Sequence, residues 1–116
     1  ILNHAGLPYD RSKEGLRNWK NAMNIISQCP NVIVKISGIG VPNSIWNKLN
    51  NEGVINYLID KFGVDRCMFG SNFPVDSLCA SYDQIVETLF ECISSLTNTE
   101  INNIFYSNAL KFYKPL

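Results

Sequence analysis

The segment Asp65-Arg66-Cys67-Met68-Phe69-Gly70-Ser71-Asn72-Phe73-Pro74-Val75 changes character halfway along. Cys67, Met68 and Phe69 form a short apolar run suited to a buried strand. Gly70 punctuates it, and Pro74, which has no backbone N–H, forces the chain out of a sheet. A parallel strand presents residues just past its C-terminal end to a ligand or a reacting group, and Asn72 holds that place here. A carboxamide both donates and accepts hydrogen bonds but cannot take up a proton as a carboxylate does. Asn72 can therefore orient water or substrate and would make a poor general base.

Upstream, the same kind of unit occurs twice. Asn31-Val32-Ile33-Val34-Lys35-Ile36-Ser37 is rich in β-branched residues and apolar on both alternations until Lys35, as expected of a strand covered on both faces, and Gly38 and Gly40-Val41-Pro42 end it. Ile1-Leu2-Asn3-His4 reads as the end of a further strand, with Ala5-Gly6-Leu7-Pro8 as the turn that leaves it. Between these lie helical patterns. Leu16, Trp19, Met23 and Ile26 make an apolar stripe over about residues 13–28, closed by Cys29-Pro30. Val54, Leu58 and Phe62 make another over about 52–62, with Gly63 as its stop. A third helix is predicted over 81–95 on Ile85, Leu89 and Ile93. A last one opens with Thr97-Asn98-Thr99-Glu100, a capping-box pattern, and runs to Phe112 and Tyr113. Strands separated by helical crossovers pair in parallel, so the chain is α/β.

Three such strands cannot close a barrel, and alone they leave two open edges and apolar surface. A second copy of the chain or the remainder of a barrel is expected to cover them. The 116 residues suffice for one domain, and 46% hydrophobic with 17% charged residues is ordinary globular composition. Zero formal net charge with scattered basic residues argues against nucleic acid and against an anionic membrane surface as partners. Cysteines 29, 67, 79 and 92 lack metal or redox spacing and read as reduced, mostly buried thiols. Neither a leader pattern nor an apolar stretch of about eighteen residues is present, so a cytoplasmic setting is expected. The first residue is Ile, not Met, within an apolar segment, which points to a piece of a longer protein.

Asn3-His4-Ala5-Gly6-Leu7-Pro8, Val34-Lys35-Ile36-Ser37-Gly38 and the Asp65–Val75 segment, followed by Ser107-Asn108-Ala109-Leu110-Lys111-Phe112-Tyr113, together resemble the amidohydrolase-2 (amidohydrolase-related) family of TIM-barrel metal-dependent hydrolases. The branch with sugar and aromatic-derived lactonases is the most similar. The resemblance implies that these are the last three β/α units, about strands six to eight of a (β/α)8 barrel that is incomplete in this chain, with the family's early His-x-His metal motif lying upstream. A divalent metal such as zinc in the complete enzyme is left open, and this chain carries no metal site of its own. His4 matches the strand-six histidine that holds a metal or polarises the substrate carbonyl. Asn72 stands where an aspartate usually accepts a proton from the attacking water, a departure that bears directly on hydrolysis.

Each candidate residue has a plainer reading. His4, the one histidine, is either a carbonyl-polarising imidazole or a hydrogen-bonded histidine in a turn. Asn72 either orients water or satisfies backbone groups in the turn before Pro74. Lys35 either steers a substrate carboxylate or snorkels to solvent. Ser37 shares a sheet face with Lys35 and is a candidate pocket hydroxyl. Trp46, in the loop after the second strand, either lids the pocket or covers core. Asp65 and Arg66, at the far end of the strand from the mouth, belong to stability. The resulting expectation is a small-molecule hydrolase that opens a lactone or similar cyclic ester when the barrel is complete, with this chain inactive alone. The alternative is a non-catalytic α/β binding or assembly module derived from such a barrel.

Overall fold

Val34–Ile36 forms β1 and Cys67–Phe69 forms β2, paired in parallel with Val34 opposite Cys67, Lys35 opposite Met68 and Ile36 opposite Phe69. On the other side of β1 a single parallel bridge joins Leu2 to Val34. There the Leu2 N–H donates to the Ile33 carbonyl at 2.7 Å and the Lys35 N–H to the Leu2 carbonyl at 2.8 Å. The structure, a computed structural model, describes residues 1–114. The three segments thus lie side by side, point the same way, and end at one rim.

The ordered strands are shorter than the apolar runs. The expected strand over residues 31–37 is reduced to three residues. Val32 N–H is turned back onto the Cys29 carbonyl at 3.1 Å, and Gly38 leaves the sheet with φ of 58°. The expected strand end at Ile1–His4 survives only as the Leu2 bridge, because Asn3–Gly6 coils into a tight turn.

Helices α1 (Lys13–Ser27), α2 (Lys48–Phe62) and α3 (Tyr82–Cys92) follow the three extended segments in order. α2 starts four residues before the first predicted position because the Asn47 side chain accepts the Asn50 N–H and so caps the helix there. α3 begins at a Ser81/Gln84 capping box and stops at Cys92, short of the expected end. The C-terminal helix is not continuous: α4 (Asn98–Asn102) passes through one π turn, Asn103–Ser107, into α5 (Asn108–Tyr113). Its Thr97/Glu100 capping box forms as the pattern indicates.

The helices cover one face of the sheet. Val34, Ile36 and Cys67 pack with Ile55 and Leu58 of α2, Leu89 of α3 and Ile104 of the π turn, all 3% exposed or less. Each such aliphatic side chain contributes about 1.5–3 kcal/mol on burial. Side chains alternate across a strand, so Lys35 and Ser37 project from the opposite face. An added Cβ at Gly70 would lie 3.1 Å from both Lys35 Cδ and Ser37 Cβ, which places these two together. No helix among the described residues is long and apolar enough to cross a membrane. The four thiols are unpaired: Cys67 and Cys92 are buried, Cys79 is partly buried and Cys29 is exposed. Burial pushes Cys67 up to about 12 and Cys92 up to about 11, which leaves both as inert packing groups.

Arg66 ties the far end of the sheet. Its guanidinium donates to the carbonyls of Phe62 and Cys29 at 2.9 Å, Ser27 at 3.0 Å and Val32 at 3.2 Å. This bears out its assignment to stability. Arg66→Ala is expected to lower the unfolding free energy by about 1.5–3 kcal/mol, read from the urea midpoint, since charged donors to four backbone carbonyls are lost. Arg66→Lys should recover little of it, because an ammonium cannot reproduce the planar fork.

Candidate functional site

The residues that follow the three parallel segments meet at their C-terminal rim. His4, Ala5 and Leu7 all have positive φ, at 54°, 52° and 57°, and Gly6 at 67° lies between them. A left-handed backbone costs an L-residue about 1–2 kcal/mol, so this turn needs outside support. Trp19 of α1 supplies part of it by donating its indole N–H to the Ala5 carbonyl at 2.8 Å. Packing supplies another part, since a Cβ at Gly6 would stand 2.6 Å from Met23 Cε.

The turn delivers the His4 ring to Ser37, with Nδ1 and the hydroxyl oxygen 3.1 Å apart. This bond occupies Nδ1 and leaves Nε2 without a hydrogen-bond partner among the described residues. Gly38 makes the approach feasible. A Cβ there would lie 2.5 Å from His4 Nδ1, 2.9 Å from its Cγ and 3.1 Å from Asn72 Nδ2. The imidazole and the carboxamide thus crowd the same side of one glycine, where a methyl group does not fit.

Asn72 itself has φ of 53°, a conformation that asparagine tolerates better than most residues. Its Nδ2 donates to Asp76 Oδ1 at 2.9 Å, and the Asp76 N–H returns to the Asn72 carbonyl at 3.1 Å. A tight turn leading into the short 3-10 helix Val75–Leu78 thus locks these two residues together. Asp76 is 6% exposed, and its Oδ2 has no partner among the described residues. It lines a crevice of about 10 Å³ together with Ser37 and Trp46, whose remaining walls are apolar, Ile36, Ile39 and Ile85 among them. On its other side Asp76 borders a depression of about 500 Å³ walled by Tyr9, Val41, Pro42, Val75 and Leu78, a size that suits a small-molecule ligand.

His4, Ser37 and Asn72 are therefore brought together. Lys35 is on the face of Ser37, but its ammonium is engaged with the Tyr113 hydroxyl at 3.4 Å. Trp46 borders the crevice beside Ser37 and Asp76, and its indole N–H donates to the Gln84 carbonyl of α3 at 3.2 Å. Asp76 and Arg11 were not legible as site residues. Arg11 clamps the rim by donating to the Pro8 carbonyl, and to the Ile39 and Asn50 carbonyls at 2.8 Å. Asp76 comes near Asn72 only through the turn around Pro74, which spacing along the sequence does not reveal.

Short parallel strands, each followed by a helix, with polar groups gathered beyond their C-terminal ends, are the arrangement found in β/α folds, barrels among them. Residues 1–114 match the amidohydrolase family profile, and the chain belongs to that family of TIM-barrel hydrolases. It is 40% identical over 114 residues to the uncharacterised protein y4mH of Sinorhizobium fredii, covering 98% of this chain and 38% of that protein. It is 34% identical over 96 residues to the L-fucono-1,5-lactonase of Burkholderia multivorans, covering 73% of this chain and 32% of the lactonase. A crystal structure of a Burkholderia multivorans amidohydrolase with bound HEPES superposes with a TM-score of 0.88 at 30% identity, over 99% of this chain and 44% of that one. A second crystal form of it, with bound zinc, gives the same TM-score at 29% identity over 43% of its length. The chain thus spans between about a third and two-fifths of the curated relatives it matches.

Among the described residues no three His, Cys, Asp or Glu side chains gather as metal ligands. The imidazole of His4 and the carboxylate of Asp76 fall short of the three protein ligands that a catalytic zinc ordinarily takes. These residues do not fit a metal by themselves, and no step below is routed through one.

Gly38→Ala is expected to lower stability by about 1–2 kcal/mol from the left-handed backbone alone, with added cost from the contact with His4. The His4 ring resonances should shift in NMR spectra as the Ser37 bond breaks. Unchanged ring shifts would contradict the convergence described.

Proposed function

We propose that this chain supplies about strands six to eight of a complete barrel that opens a lactone or similar cyclic ester by attack of water on the carbonyl. The observation that carries this reading is the meeting of His4 and Asn72 over Gly38 at the C-terminal rim. The similarity to an L-fucono-1,5-lactonase supports the substrate class.

In this reading the Ser37 hydroxyl donates to His4 Nδ1, which fixes the tautomer with the proton on Nε2. That N–H then hydrogen-bonds the substrate carbonyl oxygen and stabilises the negative charge that develops there. The Asn72 amide nitrogen is already committed to Asp76, so its oxygen is the group that accepts a hydrogen bond from the attacking water. Trp46 borders the site, and Lys35 reaches a substrate carboxylate only on leaving Tyr113. The exposed rim residues Leu7, Tyr9, Phe73, Val75 and Leu78 face either substrate or the remaining barrel. The free thiols favour a reducing, cytoplasmic setting.

A second reading, a non-catalytic module derived from the barrel, is favoured by one observation: the amide of Asn72 where a proton acceptor is expected. Turnover decides between them. The complete protein is expected to hydrolyse a sugar 1,5-lactone in a proton-release assay, with His4→Ala lowering kcat/KM on the order of 100-fold. The 116-residue chain alone should show no turnover, since reacting groups misplaced by about an ångström lose on the order of 100-fold. A complete protein without lactone turnover supports the module instead.

A further inference from the structure

We infer that Asp76 is the proton acceptor of this site, four residues beyond the position where the family's motif would have placed a carboxylate; the inference rests on the hydrolytic reading above. Of the ten carboxylate side chains in the chain, Asp76 is the one that is buried among the described residues. It makes no ion pair there, the two ion pairs being Lys48–Glu52 and Lys61–Asp60. A buried carboxylate without a cation is costly unless its oxygens are hydrogen-bonded. Only Oδ1 is bonded, to the Asn72 amide, while Oδ2 is buried and unpartnered. That oxygen belongs to a group bordering a substrate-sized depression at the rim and, on the core side, a small crevice walled mostly by apolar side chains such as Ile36, Ile39 and Ile85. An orphaned buried acceptor beside a ligand-sized depression calls for a role, and taking up a proton is one its chemistry allows.

Asn72 then becomes a positioning residue. Its Nδ2 holds the carboxylate, and its Oδ1 accepts one hydrogen of the attacking water. The other hydrogen passes to Asp76 Oδ2 as the water oxygen bonds to the lactone carbonyl carbon. When the tetrahedral intermediate collapses, the ring C–O bond breaks. The proton on Asp76 returns to the departing ring oxygen, which leaves a hydroxy acid. No oxidant, reductant or co-reactant besides water is needed.

The test compares wild type, Asp76→Asn and the double exchange Asn72→Asp with Asp76→Asn in the complete protein, using a sugar 1,5-lactone. Asp76→Asn should lower kcat on the order of 100-fold or more, with KM changed less than about threefold and with a thermal midpoint that does not fall, since an unpaired buried charge has been removed. The double exchange, which puts a carboxylate back beside His4, should regain at least about tenfold in kcat over the single variant, at the low end of what a positioned base contributes. An active wild type with kcat unaffected by Asp76→Asn overturns the role of Asp76 and leaves the lactonase reading standing. So does a fall in kcat that follows a falling thermal midpoint and is not regained in the double exchange, because that marks a structural carboxylate. A wild type that hydrolyses no lactone overturns both.

Discussion

Two backbone ladders meet on β1. Leu2 bonds to Ile33 and Lys35 on one side, and on the other the Gly70 N–H donates to the Ile36 carbonyl at 3.1 Å beyond the β2 pairing. Parallel pairing gives this small sheet its polarity: all three segments end at the same rim, so whatever follows each of them is brought together. His4 follows the first, Ser37 and Gly38 the second, and Asn72 the third. An antiparallel or slipped pairing would send these groups to opposite ends or opposite faces. The Arg66 clamp at one end and the helix core over one face hold that register in place.

The rim is where the backbone departs from comfortable geometry. His4, Ala5, Leu7 and Asn72 adopt left-handed conformations that β-strands and helices avoid. Such strain persists only where surrounding contacts over-determine it, and it gathers where side chains must be aimed. The supports here are specific: the Trp19 indole on Ala5, Met23 against Gly6, the Arg11 guanidinium joining two loops to the first turn of α2, and the Asn72–Asp76 turn. They turn three loop ends into a single framed site. The chain corresponds to only part of the length of the relatives it matches.

Much of this was legible in residue order. The β-branched run around Val34 and the apolar run Cys67–Phe69 marked both strands, and the Leu16–Ile26 and Val54–Phe62 stripes marked α1 and α2. The Thr97–Glu100 box marked the start of α4. Gly70 and Pro74 marked Asn72 as a polar side chain leaving the sheet, and the turn Ala5–Pro8 together with the family resemblance marked His4. Other features depend on long-range contacts that local patterns do not carry. The strands shortened because Arg66 and the Gly38 turn claim their ends. The π turn within the last helix lets Phe105 meet Phe69, with ring centroids 5.1 Å apart, while Asn108 caps the carbonyls of Val64 and Cys67 at 2.8 Å. Asp76 escaped notice because its burial comes from neighbours distant in sequence, and an acidic residue after a proline reads first as turn chemistry.

The convergence of His4, Gly38 and Asn72 is the spatial fact from which the chemistry is argued, and an isotope-edited nuclear Overhauser experiment measures it without reference to any reaction. Cross-peaks are predicted from the His4 ring protons to the Gly38 α-protons and from the Gly38 α-protons to the Asn72 side-chain amide. Absence of both, with the His4 ring instead near residues at the Arg66 end of the sheet, would contradict the account.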